Sequence, residues 1–160
     1  MKTTNNNSLG VYFNGKTGVL RGAAWNDYAE FRVSGQKIKP GTCVIENGDD
    51  KVRKSDIDMA GCAYIVSDTY GVAIGEEEGT VPVALSGKVL AYTEEPQQMY
   101  RENIGRPVCA SANGKIRLMT SEEAKEKPWC ILGVVSSVPN YDVWGITLVE
   151  VDGRVWIKVK

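Results

Sequence analysis

The stretch TCVIENGDDKVRKSDIDMAGCAYIVSDT, Thr42 to Thr69, is matched further along the chain by VCASANGKIRLMTSEEAKEKPWCILGVVSS, Val108 to Ser137. Cys43 falls on Cys109, and Asn47-Gly48 falls on Asn113-Gly114, both 66 positions later. A proline, Pro40 or Pro107, precedes each copy, and a basic strand, KVRK or KIRL, follows each Asn-Gly. Next comes a short polar segment, then an apolar strand led by Cys62 or Cys130 that ends among serines. Asn-Gly between alternating residues predicts a hairpin, because both residues accept positive φ. Thr120-Ser121-Glu122-Glu123 has the capping-box pattern that starts a helical turn, and Pro128 stops it. Ser55-Asp56 is expected to open the same turn in the first copy. Units of this size cannot bury an apolar face alone, so the copies, about 40–69 and 107–137, are expected to share one core.

Strand signals continue on both sides of the duplication. GVYFN and TGVLRG flank Asn14-Gly15-Lys16 and predict an N-terminal hairpin. In YAEFRVS, Tyr28, Glu30 and Arg32 alternate with Ala29, Phe31 and Val33, the period of a half-buried strand. TVPVALSGKVLAY is expected to bend at Ser86-Gly87. The tail WGITLVEVDGRVWIKVK predicts a hairpin about Asp152-Gly153, with Val155, Ile157 and Val159 on one face and Trp156 with two lysines on the other. The expectation is a mainly β, compact single domain over residues 10–160, with N- and C-terminal hairpins and a flexible segment at 1–9.

Composition removes several function classes. A formal charge of −1, with basic residues scattered singly among acidic ones, offers no field for nucleic acid or an anionic membrane. No apolar run is long enough to span a bilayer, and MKTTNNNSLG lacks the apolar core of a signal peptide, which predicts synthesis in a cytosol. The four cysteines have no CxxC spacing, so buried free thiols are expected rather than disulfides or zinc. With no histidine, imidazole-based triads and the commonest general base near neutral pH are absent. No cofactor and no metal is expected.

Chemistry would then fall to carboxylates, and WNDYAEFRVS, Trp25 to Ser34, holds two of them. If YAEFRVS is a strand, Asp27 and Glu30 lie an odd number of positions apart and point to opposite faces, unless a bulge at Asn26-Asp27 re-aims one of them. A carboxylate pair that shares work must be close. The pair therefore reads as architecture, with Glu30 meeting Arg32 or a neighbouring copy. Glu76-Glu77-Glu78 reads as a solvated turn rather than a calcium loop. The aromatic residues read as core and subunit contacts, or as a sugar-stacking platform. Trp25, Tyr28, Phe31, Tyr141, Trp144 and Trp156 are the interface candidates, with NYDVWG at 140–145 foremost.

The series WNDYAEFR, IKPGTCV, IVSDTYGVAIG, VPVALSGKVLAY, NGKIRLMTSEEAKEKPWCILGVVSSVPNYDVWG and GRVWIKVK resembles a domain of tailed-phage and prophage structural proteins. It is similar to the autoproteolytic intramolecular-chaperone domain of phage neck-appendage proteins, whose hallmark is a D-Y-A-E core. The resemblance implies a virion component, trimeric, assembling with identical copies and with other virion proteins. It also implies that the chain could be cut just before the D-Y-A-E segment by nearby acids, which puts forward Asp27 and Glu30. With the motif starting at Asp27, little chain precedes it, and a stand-alone head-fibre, decoration or tail-tip subunit is expected. Three readings stand at this point: a non-enzymatic structural subunit, a self-cleaving chaperone domain, and a fibre tip that reads a host surface glycan.

Overall fold

Runs rich in Val, Ile, Tyr and Thr, punctuated by Gly and Pro, become strands because branched and aromatic side chains fit a pleated surface and the punctuating residues end it. The computed structural model describes residues 12–14, 16, 19–21, 26–138 and 151–160. Its strands are β1 (Tyr12–Asn14), β2 (Val19–Arg21), β3 (Asp27–Val33), β4 (Cys43–Asn47), β5 (Lys51–Lys54), β6 (Ala63–Ile65) and β7 (Tyr70–Ile74). They continue as β8 (Thr80–Ala91), β9 (Pro107–Ala110), β10 (Ile116–Leu118), β11 (Gly133–Val135) and β12 (Val155–Val159), with one helix, α1 (Ser121–Glu126), and three short 3-10 turns. One sheet has seven strands in the order β10-β9-β11-β12-β8-β3-β7, a second has three in the order β5-β4-β6, and β1 pairs with β2. The architecture is mainly β, in one compact domain. Residues 1–9 lie outside the described residues.

The duplication is visible in the topology. In the first copy β4 is central, with its hairpin partner β5 on one side and β6 on the other, both antiparallel. In the second copy β9 is central between β10 and β11, again both antiparallel. Two details differ from the expectation. Each hairpin loop has three residues rather than an Asn-Gly pair, and positive φ falls on the last of them, Asp50 (58°) and Gly114 (68°). This is the geometry that three-residue loops favour.

The helical turn forms only in the second copy. There Thr120 and Glu123 cap α1 reciprocally. In the first copy the Ser55 hydroxyl instead donates to the Ser111 carbonyl at 2.8 Å, and the Met59 N–H donates to the Ala110 carbonyl at 2.9 Å. Those groups dock one copy on the other, so a helix there would forfeit the joint. The joint continues as the Cys43 N–H donates to the Gly114 carbonyl (2.8 Å) and the Gly114 N–H to the Ser55 carbonyl (2.9 Å). Arg117 reaches across to Asp58 at 2.7 Å while holding Glu123 of its own copy at 3.0 Å.

The three-stranded sheet packs on the seven-stranded one. Cys43 and Ile65 join Ala84, Val89, Val108, Ile116 and Ile157 in the main core, while Val44 and Val66, one residue on, pack with Val81 and Val83. Both faces of β4 are therefore covered. The expected bend at Ser86-Gly87 is a single left-handed glycine (φ 103°) inside one continuous strand, β8, which pairs with β3 along its first part and with β12 along its second. The tail strand also differs from expectation. On β12 the face expected to point outward keeps Lys158 exposed, but Trp156 on that same face is buried. Three free cysteines are buried, as expected, but Cys62 is exposed.

Candidate functional site

Two features depart from a plain β scaffold: a buried carboxyl on β3 and a set of apolar side chains exposed among the described residues. Asp27 opens β3 with its side chain fully buried. The pairing shifts register at Asp27/Tyr28 against β7 and at Tyr28/Ala29 against β8, so the irregularity falls after Asp27 rather than at Asn26-Asp27. Thr69 Oγ1 donates to Asp27 Oδ1 at 2.6 Å, and Ser67 Oγ lies 3.3 Å from Thr69 Oγ1. Asp27 Oδ2 has no hydrogen-bond partner among the described residues. Burial raises the carboxyl to about 6, against the opposing pull of the two hydroxyls, and Asp68 adds to the rise. Asp68 itself turns the other way and pairs with Arg154 at 2.7 Å.

The backbone beside Asp27 is crowded. A Cβ on Gly87 would stand 2.3 Å from the Asn26 carbonyl oxygen and 2.8 Å from Asp27 Cα. Only glycine allows that approach. The neighbouring Lys88 N–H donates to the Asn26 carbonyl at 2.6 Å. A buried acid raised to about 6 by its burial and a carbonyl that accepts the Lys88 N–H thus stand at the Asn26–Asp27 peptide bond. Glu30 does not join them. It is part-exposed and lies 3.7 Å from Arg32, which also meets Glu46 at 3.0 Å. The structure separates the two acids that the sequence placed three apart, and it recruits Thr69 and Ser67 in their place. No sequence signal pointed to those hydroxyls, which arrive through the pairing of β3 with β7.

Of the interface candidates, Trp25, Tyr141 and Trp144 lie outside the described residues. Tyr28 and Phe31 are half-buried on β3, and Phe31 meets Tyr70 edge-to-face at 6.1 Å. Trp156 helps line a groove of about 540 Å³ with Met99, Tyr100, Ile104, Val138 and Val151, and with Arg101 on the same lining. Tyr100 and Trp129 are well exposed at separate positions, so the described aromatics form no single stacking platform. The edge strand β7 carries exposed Tyr70 and Ile74. Among the described residues no group of acidic or thiol side chains is arranged to hold a metal ion.

Comparison with protein-family models, with curated proteins and with solved structures finds no match.

Proposed function

We propose that this chain is a structural subunit of a tailed-phage-type particle, a head-fibre, decoration or tail-appendage component, that binds identical copies and other virion proteins. Trimeric assembly is the form the resemblance implies. The observation that carries self-association is the β7 edge, which pairs with no further strand among the described residues. Edge strands present unpaired backbone groups and are normally kept short, charged or covered. Here the edge carries Tyr70 at 38% and Ile74 at 50% exposure. Closed symmetric assembly removes such an edge from water. Light scattering on the wild type and on Ile74→Lys tests the reading. The wild type is expected to have the mass of a small oligomer, and the variant to dissociate at higher concentration. Equal masses for the two, both monomeric, would refute it.

The Asp27 site favours a second reading, self-cleavage at Asn26–Asp27. Water would add to the Asn26 carbonyl carbon, polarised by the Lys88 N–H, and the Asp27 carboxyl would give its proton to the departing Asp27 nitrogen. The Asn26–Asp27 C–N bond breaks. One of the two protons that the water releases returns to the Asp27 carboxylate, and the other completes the new amino group. The products are an Asn26 carboxylate and an Asp27 ammonium. Intact mass after long incubation separates the readings, because cleavage predicts a fragment starting at Asp27 that Asp27→Ala abolishes.

A further inference from the structure

The Asn-Gly pairs of the two copies align in sequence but sit differently in their hairpins. In the first copy Asn47 is the last residue of β4, facing Lys51 across the ladder, and Gly48 opens the loop. In the second copy the pair closes the loop, since the Ser111 N–H donates to the Lys115 carbonyl at 2.8 Å. Gly114 is thereby drawn into the joint between the copies. Its N–H donates to the Ser55 carbonyl at 2.9 Å, its carbonyl accepts the Cys43 N–H at 2.8 Å, and it is buried against the Lys54 stem. Gly48 has none of these restraints. It is exposed, a Cβ there would meet nothing within 4 Å, and its N–H has no hydrogen-bond partner among the described residues.

That nitrogen decides the chemistry of an Asn-Gly bond. The glycine main-chain nitrogen is unshielded by a side chain and held next to the asparagine Cγ, so it can attack Cγ and close a succinimide ring. A nitrogen already donating to a carbonyl must first lose that bond. The loss slows attack by on the order of tenfold, before the burial of Gly114 is counted. At Asn47 the side-chain Oδ1 accepts the Asp49 N–H at 3.3 Å, a donor placed where negative charge builds as the ring closes. We infer that Asn47 is a self-modification site and that the fold protects Asn113. The Gly48 nitrogen bonds to Asn47 Cγ, the Cγ–Nδ2 bond breaks, and the Gly48 proton leaves with the amide as ammonia. Water then opens the ring. Its addition at Cγ gives aspartate, and its addition at the Asn47 main-chain carbonyl gives isoaspartate, with the chain running through the side chain. The new acid releases its proton to solvent, and solvent water is the only co-reactant. Either product sets a further negative charge beside Asp49 and Asp50 in the β4–β5 hairpin.

The test is peptide mapping by mass spectrometry of the full chain, held for weeks at body temperature in mildly alkaline buffer. Fragment spectra place the change, and labelling with an isoaspartate methyltransferase separates the two products. The pair Asn14-Gly15 lies partly outside the described residues and is read separately in the map. Asn47 is expected to convert at least about tenfold faster than Asn113. In urea, where neither glycine is held, the two should convert at similar rates. Gly48→Ala supplies a second arm. Its Cβ has open space, so the fold is kept, while the added methyl hinders the attacking nitrogen. Conversion at Asn47 should fall several-fold in that variant with the melting temperature unchanged. Equal rates at Asn47 and Asn113 in the folded chain, or an Asn47 that stays intact there, would overturn the inference. So would a gap between the two that persists in urea, because the flanking sequence rather than the fold would then set it. Unchanged conversion in Gly48→Ala would overturn the assigned chemistry.

Discussion

Asp27→Asn isolates the energetic effect of the buried carboxyl. In the folded chain the carboxyl is held at about 6, against an ordinary value of 3.8. A raised carboxylate value means that folding favours the protonated form. Below about pH 4 both states are protonated and the group carries no penalty. As pH rises through 6 the unfolded chain is already ionised, the folded chain must follow, and stability falls. The gap of about two pKa units corresponds to about 3 kcal/mol at pH 8. Asparagine keeps an oxygen for Thr69 and cannot ionise. Urea unfolding of wild type and variant across pH 3.5 to 8 reads the effect. The variant should match wild type at the acid end and be more stable by about 2–3 kcal/mol at the alkaline end. A difference that stays constant with pH would refute the reasoning, because only a titrating group makes it grow.

Other substitutions test the joints of the fold. Gly87→Ala should destabilise by about 2 kcal/mol or more in urea, since its Cβ would strike the Asn26 carbonyl and its φ of 103° disfavours any side chain. Arg117→Ala should cost about 1–2 kcal/mol, because it releases Asp58 and Glu123 together and loosens the two copies. Arg117 and the Thr120 N–H hold Glu123 down to about 2. The stability they lend is present above the ordinary Glu range and lost as pH falls toward 2, so acid unfolding should be flatter in Arg117→Ala. Iodoacetamide on the native protein should give one adduct by mass spectrometry, at exposed Cys62, with Cys43, Cys109 and Cys130 reacting only after unfolding.

The duplication was legible because it rests on local signals. Cys43 and Cys109 lie in the central strands, each Asn-Gly marks its hairpin, and the Thr120 capping box starts α1, all readable at short range. The β3 strand was legible for the same reason. What the sequence could not supply were distant partners. Nothing near Asp27 announces that Thr69 will stand 2.6 Å from it, because that contact depends on the pairing of β3 with β7. The alternation put Trp156 on the same face as Lys158, which is exposed, but could not show that Met99, Tyr100 and Ile104 would gather beside the indole and bury it. The absent helix at Ser55 is a third case, in which a capping residue was drawn into the joint with Ser111. The groove gathers Met99, Val138 and Val151 from segments that share no motif.

Sedimentation velocity of the full chain over a wide range of dilution bears most directly on whether copies cover one another's borders. The account predicts a species heavier than one chain that falls apart as the protein is diluted. A single sharp boundary at the mass of one chain, unchanged up to the most concentrated sample, would contradict it.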